Sequence, residues 1–264
     1  MNWFTTEDLF KRSGPFTFCI DYIVWYALFA IALCVGIYFL RKRKSDEATK
    51  IVLMVLWTVT VALDVMKLTV NICIGFNIRN AIPLYICSLF MYIMPLAIWG
   101  KGVFKRIGCA IVCSIGLFGA IGNYVVPSIV VNHSLFSFFG FHTTLYHSIL
   151  LAAPLIILCT GYYKFKFKDY GFTYLGFFIS TIPALIFNFI AKTDYMYLLE
   201  GNYLPLLDGV AEIVGYAWPV IMYLIYALII ILMQLIIMGV TKIIELTATK
   251  INSKRVAQEP TGDC

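Results

Sequence analysis

The chain has 264 residues, of which 61% are hydrophobic and only 13% charged, with a formal net charge of +6. So few polar groups cannot coat a water-soluble globule of this size, so the main solvent must be lipid. The positive charge does not argue for nucleic acid: the basic residues fall in short connections between apolar segments, where anionic lipid headgroups are the natural partner.

A bilayer core about 30 Å thick takes roughly 20 apolar residues in a helix, because every backbone amide must be satisfied within the segment. In chain order the candidates are Ile20 to Leu40, Ile51 to Ile72, Ile82 to Trp99, Ile107 to Val126, His142 to Tyr162, Phe172 to Ala191 and Gly215 to Val240. The fourth is interrupted by Gly116, Gly119 and Gly122, and Pro154 and Pro183 should kink the fifth and sixth. The pattern predicts an all-α, polytopic seven-helix transmembrane bundle.

Orientation follows from the basic residues. Arg41, Lys42, Arg43, Lys44 and Lys50 share one side with Lys101, Lys105 and Arg106, with Lys164, Lys166 and Lys168, and with Lys242, Lys250, Lys254 and Arg255. The other side holds only Lys11, Arg12, Arg79 and Lys192. The positive-inside rule therefore predicts an N-terminus outside and a cytoplasmic C-terminus in a multi-pass protein of the cell membrane, and dropping any one span destroys the alternation.

Residues 1–251 read as a single transmembrane domain and 252–264 as a polar, disordered cytoplasmic tail. The first apolar run follows Lys11 and Arg12 and is long enough to span, so it reads as a retained helix rather than a cleaved signal. No inverted repeat with matching Gly or Pro breaks is visible, which argues against a secondary transporter. The eight cysteines are scattered without CxxC or Cys/His ligand spacing, so neither a disulfide framework nor a metal site is expected, and no cofactor is implied. Membrane lipids are the expected partners; protein partners cannot be read.

Within the spans, polar residues stand out because lipid penalises them. Asp64 and Lys67 lie three apart on one face of the second span, and each would cost a few kcal/mol against acyl chains. They read as a structural ion pair or as charged contacts to a headgroup. In the third span, Pro83 suits the first turn of a helix, which puts Tyr85, Cys87 and Ser88 in the outer leaflet. A thiol beside a helix N-terminus can be activated, although a membrane cysteine is more often a small hydrophobe.

The fifth span begins Phe141-His142-Thr143-Thr144-Leu145-Tyr146-His147, at the same outer depth. Five residues place the two histidines roughly 140° apart around a helix, so at most one should face the cysteine. His147, deeper in the apolar run, is the more costly to keep without a role; otherwise it is a histidine hydrogen-bonded within the bundle. Asn188, the loop with Asp194-Tyr195-Met196-Tyr197 and, by topology, Asn123 and Asp208 also fall on the outer side. A cavity open to the outer leaflet is the simplest arrangement that shields these groups from lipid.

The order of motifs resembles the YwaF family of bacterial integral membrane proteins, related to eukaryotic transmembrane protein 164. The resemblance rests on Ile82-Pro83-Leu84-Tyr85-Ile86-Cys87-Ser88, Gly119 to Pro127, Tyr146-His147 and the apolar run through Pro154. It continues with Asn188, Asp194-Tyr195-Met196-Tyr197-Leu198 and Gly215 to Pro219. Tyr85 stands where the bacterial pattern has His, and Asp194 where it has Asn. The eukaryotic relative is associated with acyl transfer to lysophospholipids through a Cys and a His. The resemblance therefore implies a lipid acyltransferase or acyl hydrolase with Cys87 as nucleophile, His147 as general base and Asn188 or Asn123 as polarising group. The alternative is a non-catalytic lipid- or small-solute-binding protein or transporter. Asp64 and Lys67 would then be charged contacts, His147 and Asn188 binding groups, and Cys87 packing; on either reading Asp64, Lys67, Tyr85, Asn123, Asn188 and Asp194 are the candidate substrate-binding residues.

Overall fold

The computed structural model describes residues 20–73, 82–125, 135–200 and 205–258. Lys11, Arg12, Arg79, Pro127 and 259–264 lie outside the described residues, as does the side chain of Asp208. The helices are α1 (Ile20–Arg43), α2 (Asp46–Cys73), α3 (Leu89–Trp99), α4 (Val103–Ile111), α5 (Leu117–Val125), α6 (Phe138–Thr160), α7 (Asp169–Ala191), α8 (Pro205–Val214) and α9 (Trp218–Gln258). No strand occurs among the described residues. The last helix extends into the stretch read as a disordered tail.

Among the described residues, six helical segments are long and apolar enough to cross a membrane: α1, α2, Val103–Asn123, α6, α7 and Gly209–Ile243. The third expected span behaves differently. Ile82 to Ser88 is a run of turns, closed by Ser88 N–H donating to Tyr85 O at 2.9 Å, and the helix proper is the 11 residues of α3. At 1.5 Å per residue α3 is about 16 Å long, roughly half a bilayer core. Irregular backbone at membrane depth needs protein around it, and Ser88, Leu89 and Phe90 are indeed buried.

The bundle is layered by burial. Peripheral α1 is apolar all round and buries only Tyr22, leaving Leu28 and Ile31 each 62% exposed, as suits a helix facing acyl chains. It is fastened to α6, where Trp25 Nε1 donates to Ser148 Oγ at 3.1 Å and the Trp25 ring meets the Phe141 ring edge-on. At the centre, α4 and α5 are joined by a π turn, Val112–Gly116, with all five residues buried. Ser114 there turns its hydroxyl back to Ala110 O at 2.6 Å, so no polar group is left over. The turn packs against α6, where Cys113 Sγ lies 3.9 Å from Pro154 O.

Close approach explains one glycine directly. A Cβ on Gly108 would fall 2.4 Å from the backbone nitrogen of Ala97, so only glycine lets α4 lie against α3. The hairpin between these two helices is thereby tight, and it sets the depth at which the turn 82–88 begins.

The end of the bundle carrying the basic connections is locked by one carboxylate. Asp169, 1% exposed, accepts from Arg106, from the Tyr163 hydroxyl and from the backbone N–H of Lys166 at 2.9 Å. Burial, and then this carboxylate, raise the Tyr163 phenol above the ordinary tyrosine range. Beside it Tyr162 donates to Ala97 O at 3.2 Å and lies beneath the Lys105 ammonium, 3.7 Å from its ring centroid. The connection 161–168 is thus pinned to α3, α4 and α7 together.

Candidate functional site

The polar residues remote from the basic end form two groups. The first is built by α2, α6 and the turn before α3. Asp64 is 7% exposed on the inward face of α2, and its Oδ2 accepts from the Tyr146 hydroxyl at 3.0 Å. That hydroxyl also lies 3.4 Å from the carbonyl oxygen of Cys87. One phenol on α6 therefore touches both the buried carboxylate and the cysteine backbone. One turn earlier on α6, His142 Nε2 meets Leu63 O at 3.1 Å and its ring stacks on Tyr146, with centroids 5.7 Å apart. A carbonyl can only accept, so Nε2 carries the hydrogen and Nδ1 keeps its lone pair in the neutral ring.

His147 is arranged in the opposite sense. Its Nδ1 lies 2.8 Å from Thr143 O, the carbonyl one turn back in the same helix. That nitrogen must donate, which leaves Nε2 without a hydrogen in the neutral ring. His147 is half-buried and its ring meets Tyr146 edge-on at 5.8 Å. Lys67, half-buried on α2, lies near enough for its charge to bear on Asp64, Cys87 and both histidines. The expected Asp64–Lys67 ion pair is replaced by Asp64–Tyr146: the phenol holds the carboxylate, and Lys67 makes no ion pair among the described residues.

Cys87 is half-buried and immediately precedes Ser88, the N-cap residue of α3. The helix begins later than the sequence suggested, so Cys87 precedes it, and Pro83 lies in the turn instead of the first helical turn.

The second group is a latch at the end of α7. Asn188, fully buried, donates from Nδ2 to Tyr195 O at 2.9 Å. Its Oδ1 accepts from Tyr195 N at 2.8 Å and from Thr193 Oγ1 at 3.0 Å. Asp194 Oδ1 accepts from Leu199 N at 2.8 Å. Such a tight loop drives Met196 and Tyr197 to positive φ, at 60° and 54°, and α9 covers it: Tyr226 donates to Met196 O at 2.7 Å and Trp218 to Tyr197 O at 2.9 Å. Tyr85 connects the two groups, its ring edge-on to Tyr195 with centroids 4.7 Å apart.

The fold therefore gathers Asp64, Lys67, Cys87 and His147 in one neighbourhood, sets Asn188 and Asp194 into loop backbone, and leaves Tyr85 at the boundary, 38% exposed. Asn123 stands at the far end of α5, its Nδ2 buried and meeting no acceptor among the described residues. Two residues at the centre, Tyr146 and His142, were given no role by sequence reasoning. The available signal was their spacing: His142 and Tyr146 lie four apart on one helix face, as Asp64 and Lys67 lie three apart on another, and two polar stripes in adjacent spans should meet.

Among the described residues no three His, Cys, Asp or Glu side chains gather as metal ligands. No curated protein and no solved structure matches the chain. The model of the TMEM164 family matches residues 14–238, and the chain, a multi-pass helical protein with a polar cluster held by Tyr146, belongs to that family.

Proposed function

We propose that the chain is a cell-membrane protein with seven spans, its N-terminus outside, and that it transfers or hydrolyses acyl groups of membrane lipid. Cys87 is the nucleophile and His147 the general base. The turn 82–88 with α3 would serve as the third crossing, and the basic connections would lie on the cytoplasmic side. The reactive groups then open to the outer leaflet.

The observation that carries this reading is the pair of contacts of the Tyr146 hydroxyl, to Asp64 and to the Cys87 carbonyl, beside a histidine whose neutral ring leaves Nε2 without a hydrogen. In acyl transfer His147 Nε2 takes the thiol proton and Cys87 Sγ attacks the ester carbonyl carbon. Collapse of the adduct expels the lysolipid alkoxide, which recovers the proton from His147. A second lysolipid hydroxyl or water then resolves the thioester. Lys67, with no carboxylate paired to it among the described residues, suits the phosphate of the lipid.

Incubating the purified protein with labelled acyl-lipid, then searching for an acyl adduct on Cys87 by mass spectrometry, tests the reading. An adduct that disappears in Cys87→Ala supports it. Lack of both adduct and turnover, together with lipid binding that Asp64→Asn and Lys67→Met weaken, would transfer the conclusion to a non-catalytic lipid-binding protein.

A further inference from the structure

Between the two asparagines, Asn123 is set apart by its bonding. Asn188 spends both ends of its amide on the loop 193–195, whereas the buried Nδ2 of Asn123 meets no acceptor among the described residues. An unmet buried donor costs stability, and it persists where a bound group supplies the acceptor.

Its position says which group. Gly119 lies one turn before Asn123 on the same helix face, and a Cβ there would point 3.5 Å from Ile86 Cγ2 and 3.9 Å from Leu150 Cδ2. Ile86 precedes Cys87 directly, and Leu150 lies one turn along α6 from His147. α5 and α6 run in opposite directions, so one turn outward from the Gly119 contact brings Asn123 to the level of His147, with the turn that carries Cys87 on its other side.

We propose that Asn123 is a catalytic residue, its Nδ2–H donating to the carbonyl oxygen of the acyl ester as that oxygen becomes an anion. This rests on the acyl-transfer reading. When Cys87 Sγ bonds to the carbonyl carbon, the C=O π pair moves to oxygen. The Asn123 amide stabilises that charge until the C=O re-forms and the lysolipid alkoxide leaves with the proton held by His147. Preset donors act strongly because their dipoles need not reorient as the charge develops.

The test compares two reagents for the same thiol, of which only one passes through an oxyanion. Iodoacetamide alkylates a thiol by displacing iodide and forms no oxyanion; p-nitrophenyl octanoate acylates it through one. The rate of Cys87 modification by each is followed by mass spectrometry on the full chain in nanodiscs. Asn123→Leu, which keeps the volume and removes the donor, is compared with the wild type, and Asn123→Ala serves if the leucine variant does not accumulate.

The expected result is a fall of about 10²- to 10³-fold in acylation with alkylation changed less than about twofold. Unchanged acylation in a folded variant overturns the role of Asn123 and leaves Cys87 acylation standing, and so does an equal loss with both reagents, which marks a residue that merely shapes access. A wild-type protein that the ester never acylates sinks the acyl-transfer reading and this inference with it.

Discussion

Two polar clusters sit at the same end of this bundle, and they differ in what their side chains have left to offer. In the loop after α7, Asn188 and Asp194 Oδ1 are bonded to backbone groups at ordinary distances, and Tyr226 and Trp218 close over them. Around Tyr146 the bonding is asymmetric: a carboxylate held by a phenol, an imidazole whose outward nitrogen is unassigned, and a thiol at the start of a half-length helix. Saturated networks rigidify, whereas networks with spare donors and acceptors are where substrate chemistry can occur. Being polar in a membrane span therefore does not by itself mark a functional residue.

Substitutions should separate the clusters cleanly. The largest effect is expected from Cys87→Ala, which should lower acyl-adduct formation and turnover by at least about 10³-fold while changing the thermal midpoint in detergent very little. Asn188→Ala should do the reverse. It strands Tyr195 N–H, Tyr195 O and the Thr193 hydroxyl in a buried loop, costing about 3 kcal/mol of stability, and any fall in activity should follow the amount of folded protein. If Asn188→Ala stays fully stable but loses activity, the division between latch and site is wrong.

Asp169→Asn tests whether the basic end is independent of the site. It removes the charge held by Arg106 and Tyr163, so stability should drop by about 2 kcal/mol, read as a lower unfolding temperature, with the rate per folded molecule unchanged. The smallest effect is expected from Tyr146→Phe. Losing one hydroxyl should cost about 1 kcal/mol of stability, yet it frees Asp64 and lets the cysteine turn drift. Acylation should slow by about tenfold, more than the stability loss alone accounts for, and a variant whose rate matches the wild type would remove Tyr146 from the site.

Much of the architecture was legible from the sequence, for a physical reason. Lipid imposes a length and an apolarity on every crossing, so α1, α2, α6 and α7 coincide with apolar runs to within a few residues. The third run was misjudged in its first half. Ile82 to Ser88 is apolar enough to read as span, but its backbone is turned, and the packing of Ser88 to Phe90 into the bundle makes that tolerable.

For the site, the residue types and their depth came from the sequence, while the partnerships did not. Periodicity places Asp64 and Lys67 on one face, yet whether Asp64 bonds to Lys67 or to a phenol on another helix depends on how α2 and α6 are rotated against each other. Likewise Asn123 and Asn188 are equivalent as letters, and only the loop 193–199 distinguishes them by occupying one amide and not the other. Composition and charge thus determined the solvent, the helical class and the end of the bundle where polar groups collect. Side-chain pairing is decided by contacts between distant residues, so it took the packed helices to decide which phenol, carbonyl or amide each of those groups meets.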